Sequence, residues 1–314
     1  MKCFSSSLFH TLFLQSVFVV LVVHFSYGQE PKSFTLADYD LKGNVKKCLV
    51  ITDYGKEEFE FNKAGYLTRL TTRYSDTDYD ISYYKYDNEQ LLEKRLENYR
   101  EGKLDPRTSI ANIFSIDTMA GKKVTEKIYS YQNEFLDQYE YNYDEKQRLV
   151  KIRRSNNEGI DETMVVYDSL KGELTQTYVL NGVPQKSIRT SISKKKEVMP
   201  LTIVLEKEFL EGEPLKAREQ SLDSLGRPLK EQNFGYKENE GSFVLENVIE
   251  YRYNEDGLMS EKILTSGKSV QKKEYVYQLD GKEFGNWIKQ IVLPDNTFST
   301  RKITYYEEQP KLEE

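Results

Sequence analysis

The side chains able to do chemistry in this chain are carboxylates, tyrosines, one cysteine and one tryptophan. Both histidines, His10 and His24, lie in an apolar N-terminal stretch together with Cys3, so the sequence after residue 28 holds no histidine and only Cys48. That excludes Ser-His and Cys-His nucleophile systems and histidine-based zinc or iron sites. No Gly-rich phosphate loop is present. Asp76, Asp78, Asp80 and Asp87 stand where a calcium loop would place acids, but Ile81 replaces the glycine of its sharp bend. An acidic hairpin tip is the expectation there. Cys48 is either a reactive thiol or a small buried hydrophobe, and free cysteine usually packs as the latter. Trp287 is either a sugar-stacking platform or the apolar plug of a last hairpin, the commoner role. A two-carboxylate hydrolase stays open because acids are plentiful. The recurrent ones, Asp87, Asp144, Asp168 and Asp223, with Asn62 and Asn254, share one position of a repeated pattern, and a turn role explains them together. No catalytic, cofactor-binding or metal-ligating residue is assigned.

The elements that position these residues come from that repetition. Tyr251 and Tyr253 are two apart and so share one face of a strand. Asn254 can close a turn with its side chain, Gly257 can take positive φ, and Met259 and Ile263 resume the alternation. The second aromatic or its equivalent recurs at 61, 86, 143, 167, 222, 253 and 277. The short gaps are 24, 25 and 31 residues and the long ones about double, so a unit of roughly 25 to 30 residues is implied. Tyr129-Ser130-Tyr131 is a decayed copy inside the first long gap. Gln90 and Gln147 replace the turn glycine, and a non-glycine in the left-handed region costs about 1–2 kcal/mol, so those turns are expected to differ. Glu89–Arg100 has some helical spacing, yet its place in the repeat predicts a strand. The fold class expected is all-β, with repeated antiparallel hairpins in an extended, solenoid-like meander. Leu41–Ile51 starts the first strand and covers the open end of the stack.

The pattern aromatic-x-aromatic-Asp/Asn-x-x-Gly-x-Leu resembles the YD repeat, or Rhs-type repeat, of secreted bacterial proteins. The resemblance is degenerate and covers most of the chain after residue 40. It implies a short, stand-alone exported member from Gram-negative bacteria, without the enclosed toxin of the large ones.

Residues 1–28 read as an export signal: Lys2, an apolar run from Leu8 to Val23, and small residues at Ser26 and Gly28. No second apolar run is long enough to span a membrane as a helix. Residues 29–314 then form one β domain, with a possible seam near 194–200. A lone cysteine in an exported chain leaves no internal disulfide. Without Lys2 the 45 basic residues become 44 against 51 acidic ones, a net of −7 that disfavours nucleic acid. The function expected is non-enzymatic: a periplasmic, outer-surface or extracellular binding or scaffold protein that contacts an envelope protein or a glycan and needs no cofactor. The alternatives are a carbohydrate-binding module using exposed tyrosines and, behind it, a carboxylate-based glycosidase.

Overall fold

A computed structural model describes residues 32–119, 121–193 and 199–307. The export signal expected over 1–28 lies outside the described residues, as does most of the segment around 194–200.

The described chain has one short 3-10 turn, Leu36–Tyr39, and is otherwise β-structure. The strands are β1 (Val45–Thr52), β2 (Gly55–Phe61), β3 (Leu67–Arg73), β4 (Tyr79–Asp87), β5 (Gln90–Arg100), β6 (Lys103–Leu104) and β7 (Ile110–Asp117). They continue as β8 (Lys123–Ser130), β9 (Phe135–Tyr143), β10 (Leu149–Asn156), β11 (Gly159–Leu170), β12 (Glu173–Leu180), β13 (Val183–Ile192) and β14 (Thr202–Leu210). The last are β15 (Glu213–Leu222), β16 (Pro228–Lys237), β17 (Ser242–Tyr253), β18 (Met259–Ser266), β19 (Ser269–Leu279), β20 (Trp287–Leu293) and β21 (Thr297–Tyr305). The stretch with helical spacing is thus strand β5, as its repeat position predicts.

Each strand pairs antiparallel with the next, except that two-residue β6 only extends the tip of β5, which goes on to pair with β7. The array does not stay open. β1 pairs with β21 from Val45↔Tyr305 to Ile51↔Thr300, closing twenty strands into a barrel. This corrects the extended, solenoid-like meander: the period describes one hairpin, whereas closure depends on twist and strand tilt accumulated over the whole ring. Leu41–Ile51 does not cover an open end; its strand is a member of the ring. β13 and β14 pair from Lys186↔Glu208 to Ile192↔Thr202, so one sheet continues across the expected seam.

Five hairpins share one turn, at 62–66, 130–134, 144–148, 223–227 and 254–258. In each, the first residue exchanges backbone hydrogen bonds with the fourth and fifth at 2.8–3.0 Å. The side chain of that first residue, Asn62, Ser130, Asp144, Asp223 or Asn254, accepts the N–H of the fifth. The fourth residue has positive φ: Gly65 (85°), Asn133 (63°), Gln147 (60°), Gly226 (76°) and Gly257 (81°). Such a turn feeds a bulge into the ladder, seen as a register shift beside each. The stretch Tyr129-Ser130-Tyr131 does hold this turn, but the turn opens at Ser130, after Tyr129, and not after Tyr131 as the aromatic pair predicts. Gln147 takes the glycine's place outright. Gln90 does not: it opens β5 after a two-residue turn at Asn88 (φ 45°) and Glu89 (φ 70°). Asp168 is also no turn residue. It lies inside β11 opposite Thr175, and the turn falls three residues later at Lys171 and Gly172.

The two faces differ in chemistry. The aromatic face carries Phe59, Tyr84, Tyr141, Tyr167, Tyr251, Tyr277 and Trp287; following the register around the ring returns to the same face at Cys48 and Val50. Residues Phe34–Asp40 lie on this face. Phe34 meets Tyr84 edge-on at 5.4 Å, Tyr39 lies 4.6 Å from Phe59, and the Tyr39 and Asp40 carbonyls accept the Arg301 guanidinium. Burial raises the Tyr253 and Tyr277 hydroxyl pKa values, and the Asp40 carboxylate adds to both shifts. So this segment packs on a cluster that runs from Ile303 in β21 through β1 to Phe114 in β7, an arc of about 29 Å at ~4.8 Å per strand. Only the concave side offers that reach. The aromatic face is the inside, and Phe34–Asp40 plugs the rim where β1 begins.

Candidate binding surface inside the barrel

The inner wall is built from side chains that alternate with outward charges. Near the plugged rim it is apolar. Phe59, Phe61, Leu67, Tyr84 and Leu91 bury against the plug, and Val124, Tyr141, Tyr143 and Ile152 form a second cluster. Around β13–β18 no second layer of described residues covers the wall, and its side chains are mostly half-exposed on both faces.

The repeat also builds a ladder along this rim. Asp144 accepts Arg148 Nε at 2.8 Å, the Arg148 guanidinium lies 4.5 Å from the Tyr167 ring, and the Tyr167 hydroxyl donates to the Leu149 carbonyl at 2.9 Å. Asp223, Arg227, Tyr253 and Pro228 repeat this with 2.8, 4.5 and 2.9 Å. Tyr277 likewise donates to Met259 at 2.8 Å. The hydrogen bond from Arg148 holds the Asp144 carboxyl below its ordinary range. Burial opposes the same shift at Asp223, but the N–H and guanidinium of Arg227 outweigh it. These acids are committed to turns, each by at least two hydrogen bonds.

Farther from the rim, the inner wall carries polar side chains aligned by register. Glu206, Arg218, Asn233 and Asn247 lie on one line across β14–β17. Arg218 donates to Glu206 at 2.9 Å, Lys186 pairs with Glu206 at 2.5 Å, and Asn233 donates to Asn247 at 2.9 Å. Glu231 accepts Gln220 at 2.9 Å and Asn233 at 3.1 Å. On the far side, Glu126 accepts Asn112 at 2.6 Å and Tyr141 at 2.8 Å, and Asp137 accepts Arg154 at 2.7 Å. Each of these inward acids is held by a neighbour, an arrangement suited to binding polar groups. Sequence reasoning missed this line because it exists only in register. The signal was present: once the turns at 211–212 and 223–227 are fixed, Glu206, Arg218 and Asn233 must meet.

The singled-out residues fall as follows. Trp287 is 7% exposed, with Arg301 stacked 3.6 Å from its ring centroid and Tyr277 at 6.1 Å, so it is an inner plug of its hairpin. Cys48 is buried, and burial pushes its thiol up to about 11. Asp78 and Asp80 flank the tip between β3 and β4. Asp78 accepts the Glu101 N–H at 2.7 Å, and Asp80 pairs with Arg100 at 2.7 Å and accepts the Tyr74 hydroxyl at 2.9 Å. Asp87 is at the other end of β4, seven residues on from Asp80 and about 23 Å away at ~3.3 Å per residue, so the four acids are not brought together. The hollow beside the plug, about 530 Å³, mixes Leu91, Ile116 and Val124 with Ser33, Glu89, Lys122 and Gln147, and the Ser33 hydroxyl donates to the Glu89 carbonyl at 2.6 Å.

The outer face is laced with cross-strand ion pairs. Lys47 pairs with Glu58 at 2.8 Å, Glu93 with Lys85 at 2.7 Å and Arg95 at 3.0 Å, and Lys151 with Glu162 at 2.7 Å. Arg252 and Lys272 reach Glu261 at 2.9 and 2.5 Å.

No protein-family model matches this chain, and no curated protein matches it. A solved structure similar to it is a porin-like protein from Bacteroides uniformis, at 9% identity and a TM-score of 0.30, covering 83% of this chain and 98% of that one. The barrel rests on its own strand pairings.

Proposed function

We propose that this chain is an exported, non-enzymatic binding protein of the cell envelope or its surroundings, built from YD-like hairpins and working in water rather than in lipid. The carrying observation is the polarity of the two faces. A membrane barrel turns an apolar band outward, and Lys or Arg at the bilayer midplane costs about 2–4 kcal/mol each. Here Arg69, Arg95, Lys127, Arg153 and Lys207 all point outward from the middle of their strands. Five such residues would cost about 10–20 kcal/mol, as much as or more than the ~5–15 kcal/mol by which a domain is stable. The aromatic and hydrogen-bonding groups instead line the inside, where a ligand or a partner segment can lie against tyrosines and amides.

Fractionation of the native host tests this. The protein is expected in the soluble periplasmic or extracellular fraction, and any membrane-bound part should be released by alkaline carbonate without detergent. Retention in washed membranes until detergent is added would refute it in favour of an inserted barrel. For the non-enzymatic part, purified protein is expected to turn over no polysaccharide, peptide or ester. Turnover abolished by one carboxylate-to-amide change would overturn it.

A further inference from the structure

On the inner wall of β18 and β19, Lys262 stands directly opposite Lys273. Like charges facing each other across a ladder are destabilising, and the outer side of these same strands shows how the fold normally handles that. There Glu261 faces Glu274, and Lys272 bridges both at 2.5 and 2.8 Å while Arg252 adds a contact to Glu261. Inside, among the described residues, no acid bridges the two ammonium groups. Lys273 reaches only Asp295, at 3.0 Å, and the Lys262 ammonium lies 5.9 Å from the Tyr251 ring. Among the described residues no acid pairs with Lys262. The nearby Glu231 is held by Gln220 and Asn233. Tyr251 is opposite Lys262, and Tyr275 is two residues beyond Lys273 on the same face, so half-buried tyrosine rings flank the charge.

We infer that Lys262 and Lys273 form a seat for a carboxylate-bearing ligand whose flat or cyclic part lies against Tyr251 and Tyr275. This rests on the reading of the barrel as a binding protein and names the ligand chemistry of its inner wall. With Asp295 beside Lys273, about one positive charge is left uncompensated. That suits a carboxylate, whereas a doubly charged phosphate would also face Glu231 and Asp295. The rings supply apolar and stacking surface at little conformational cost.

The test uses urea denaturation of the purified protein at low ionic strength with benzoate, a singly charged aromatic carboxylate, as probe. Benzoate is expected to raise the midpoint of the parent protein, and K262Q or K273Q to raise the half-effective concentration about tenfold or more, as for loss of a charged hydrogen-bonding partner. K262Q without ligand should have a midpoint no lower than the parent, because it relieves a repulsion. A purely structural lysine would give a lower one, and that result would overturn the inference. Equal effects of benzoate on parent and variants, or an equal effect of neutral benzamide, would also overturn it. Phosphate acting as strongly as benzoate would refute the carboxylate assignment. None of these failures touches the fractionation result on which the binding-protein reading stands.

Discussion

Asn286 clamps the segment between the plug and β1 to the ring. It is 2% exposed, its Oδ1 accepts the Lys42 N–H at 2.8 Å, and its Nδ2 donates to the Lys42 carbonyl at 2.8 Å and to the Tyr305 hydroxyl at 2.9 Å. Asn286→Ala removes three hydrogen bonds and strands both backbone groups of Lys42. A stranded buried group costs about 1–3 kcal/mol, and Lys42 lies at the barrel mouth, where water can take over part of that role. The expected loss is thus about 2–4 kcal/mol rather than the sum of three full penalties. Asn286→Asp keeps the acceptor for the Lys42 N–H but sets a carboxylate against the Lys42 carbonyl, so it should lose at least as much. Chemical denaturation gives the magnitude, and amide hydrogen exchange gives the location. Protection should fall first in residues 34–45 while β8–β13 keep theirs. A loss below about 0.5 kcal/mol, or a uniform fall in protection over the barrel, would refute the clamp.

Other substitutions address the turns and the thiol. Gly257→Val should destabilise several times more than Glu255→Ala, because Gly257 has φ 81° and Arg227 Nη1 lies 3.3 Å from where a Cβ would stand; equal denaturation midpoints would show the turn misassigned. Tyr253→Phe removes the bond to the Pro228 carbonyl and should cost about 0.5–1.5 kcal/mol with the barrel's circular dichroism unchanged. The folded-state pKa values of Asp144 and Asp223 are depressed, so their stabilisation is present above the unfolded value near 3.9 and is lost as pH falls through the folded values. An Asp144→Asn, Asp223→Asn double variant should therefore lose stability at neutral pH and show a shallower fall under acid, as midpoints measured from pH 7 to pH 2 would report. Cys48 should resist a thiol reagent at pH 8 in the native protein and react stoichiometrically in denaturant.

Local chemistry was legible in the chain. Tyr251 and Tyr253 place a strand face, Asn254 and Gly257 place a turn, and the structure repeats that turn down to the carboxylate contacts of Asp144 and Asp223. The errors have a common cause. Asp168 and Gln90 match the pattern by type and spacing, yet two-residue turns nearby at Lys171–Gly172 and Asn88–Glu89 capture the reversal instead. Nothing local distinguishes a chain that bends into a ring from one that runs on, since the β1–β21 pairing joins residues about as far apart as the sequence allows. The inner polar line has the same origin: Glu206, Arg218 and Asn233 look like ordinary strand polars until register puts them side by side. Trp287 could be placed only once Arg301 was known to stack on it.

The β1–β21 seam also governs the order in which this molecule can assemble. Neighbouring hairpins close loops of a few residues, whereas the seam closes one of about 250, and each doubling of loop length adds about 0.6 kcal/mol of entropy cost. Relative to a 25-residue repeat that is about 2 kcal/mol more, so the seam is the most non-local and slowest contact to form. Until it forms, β1 and β21 are both unpaired edges with free N–H and C=O groups. A chain that emerges from its N-terminus exposes the first of those edges until β21 has followed. Two such chains could pair β21 of one with β1 of the other, giving a ring of twice the size or an open filament. The molecule's solubility therefore depends on a kinetic contest: intramolecular closure, independent of concentration, against intermolecular pairing that grows with it.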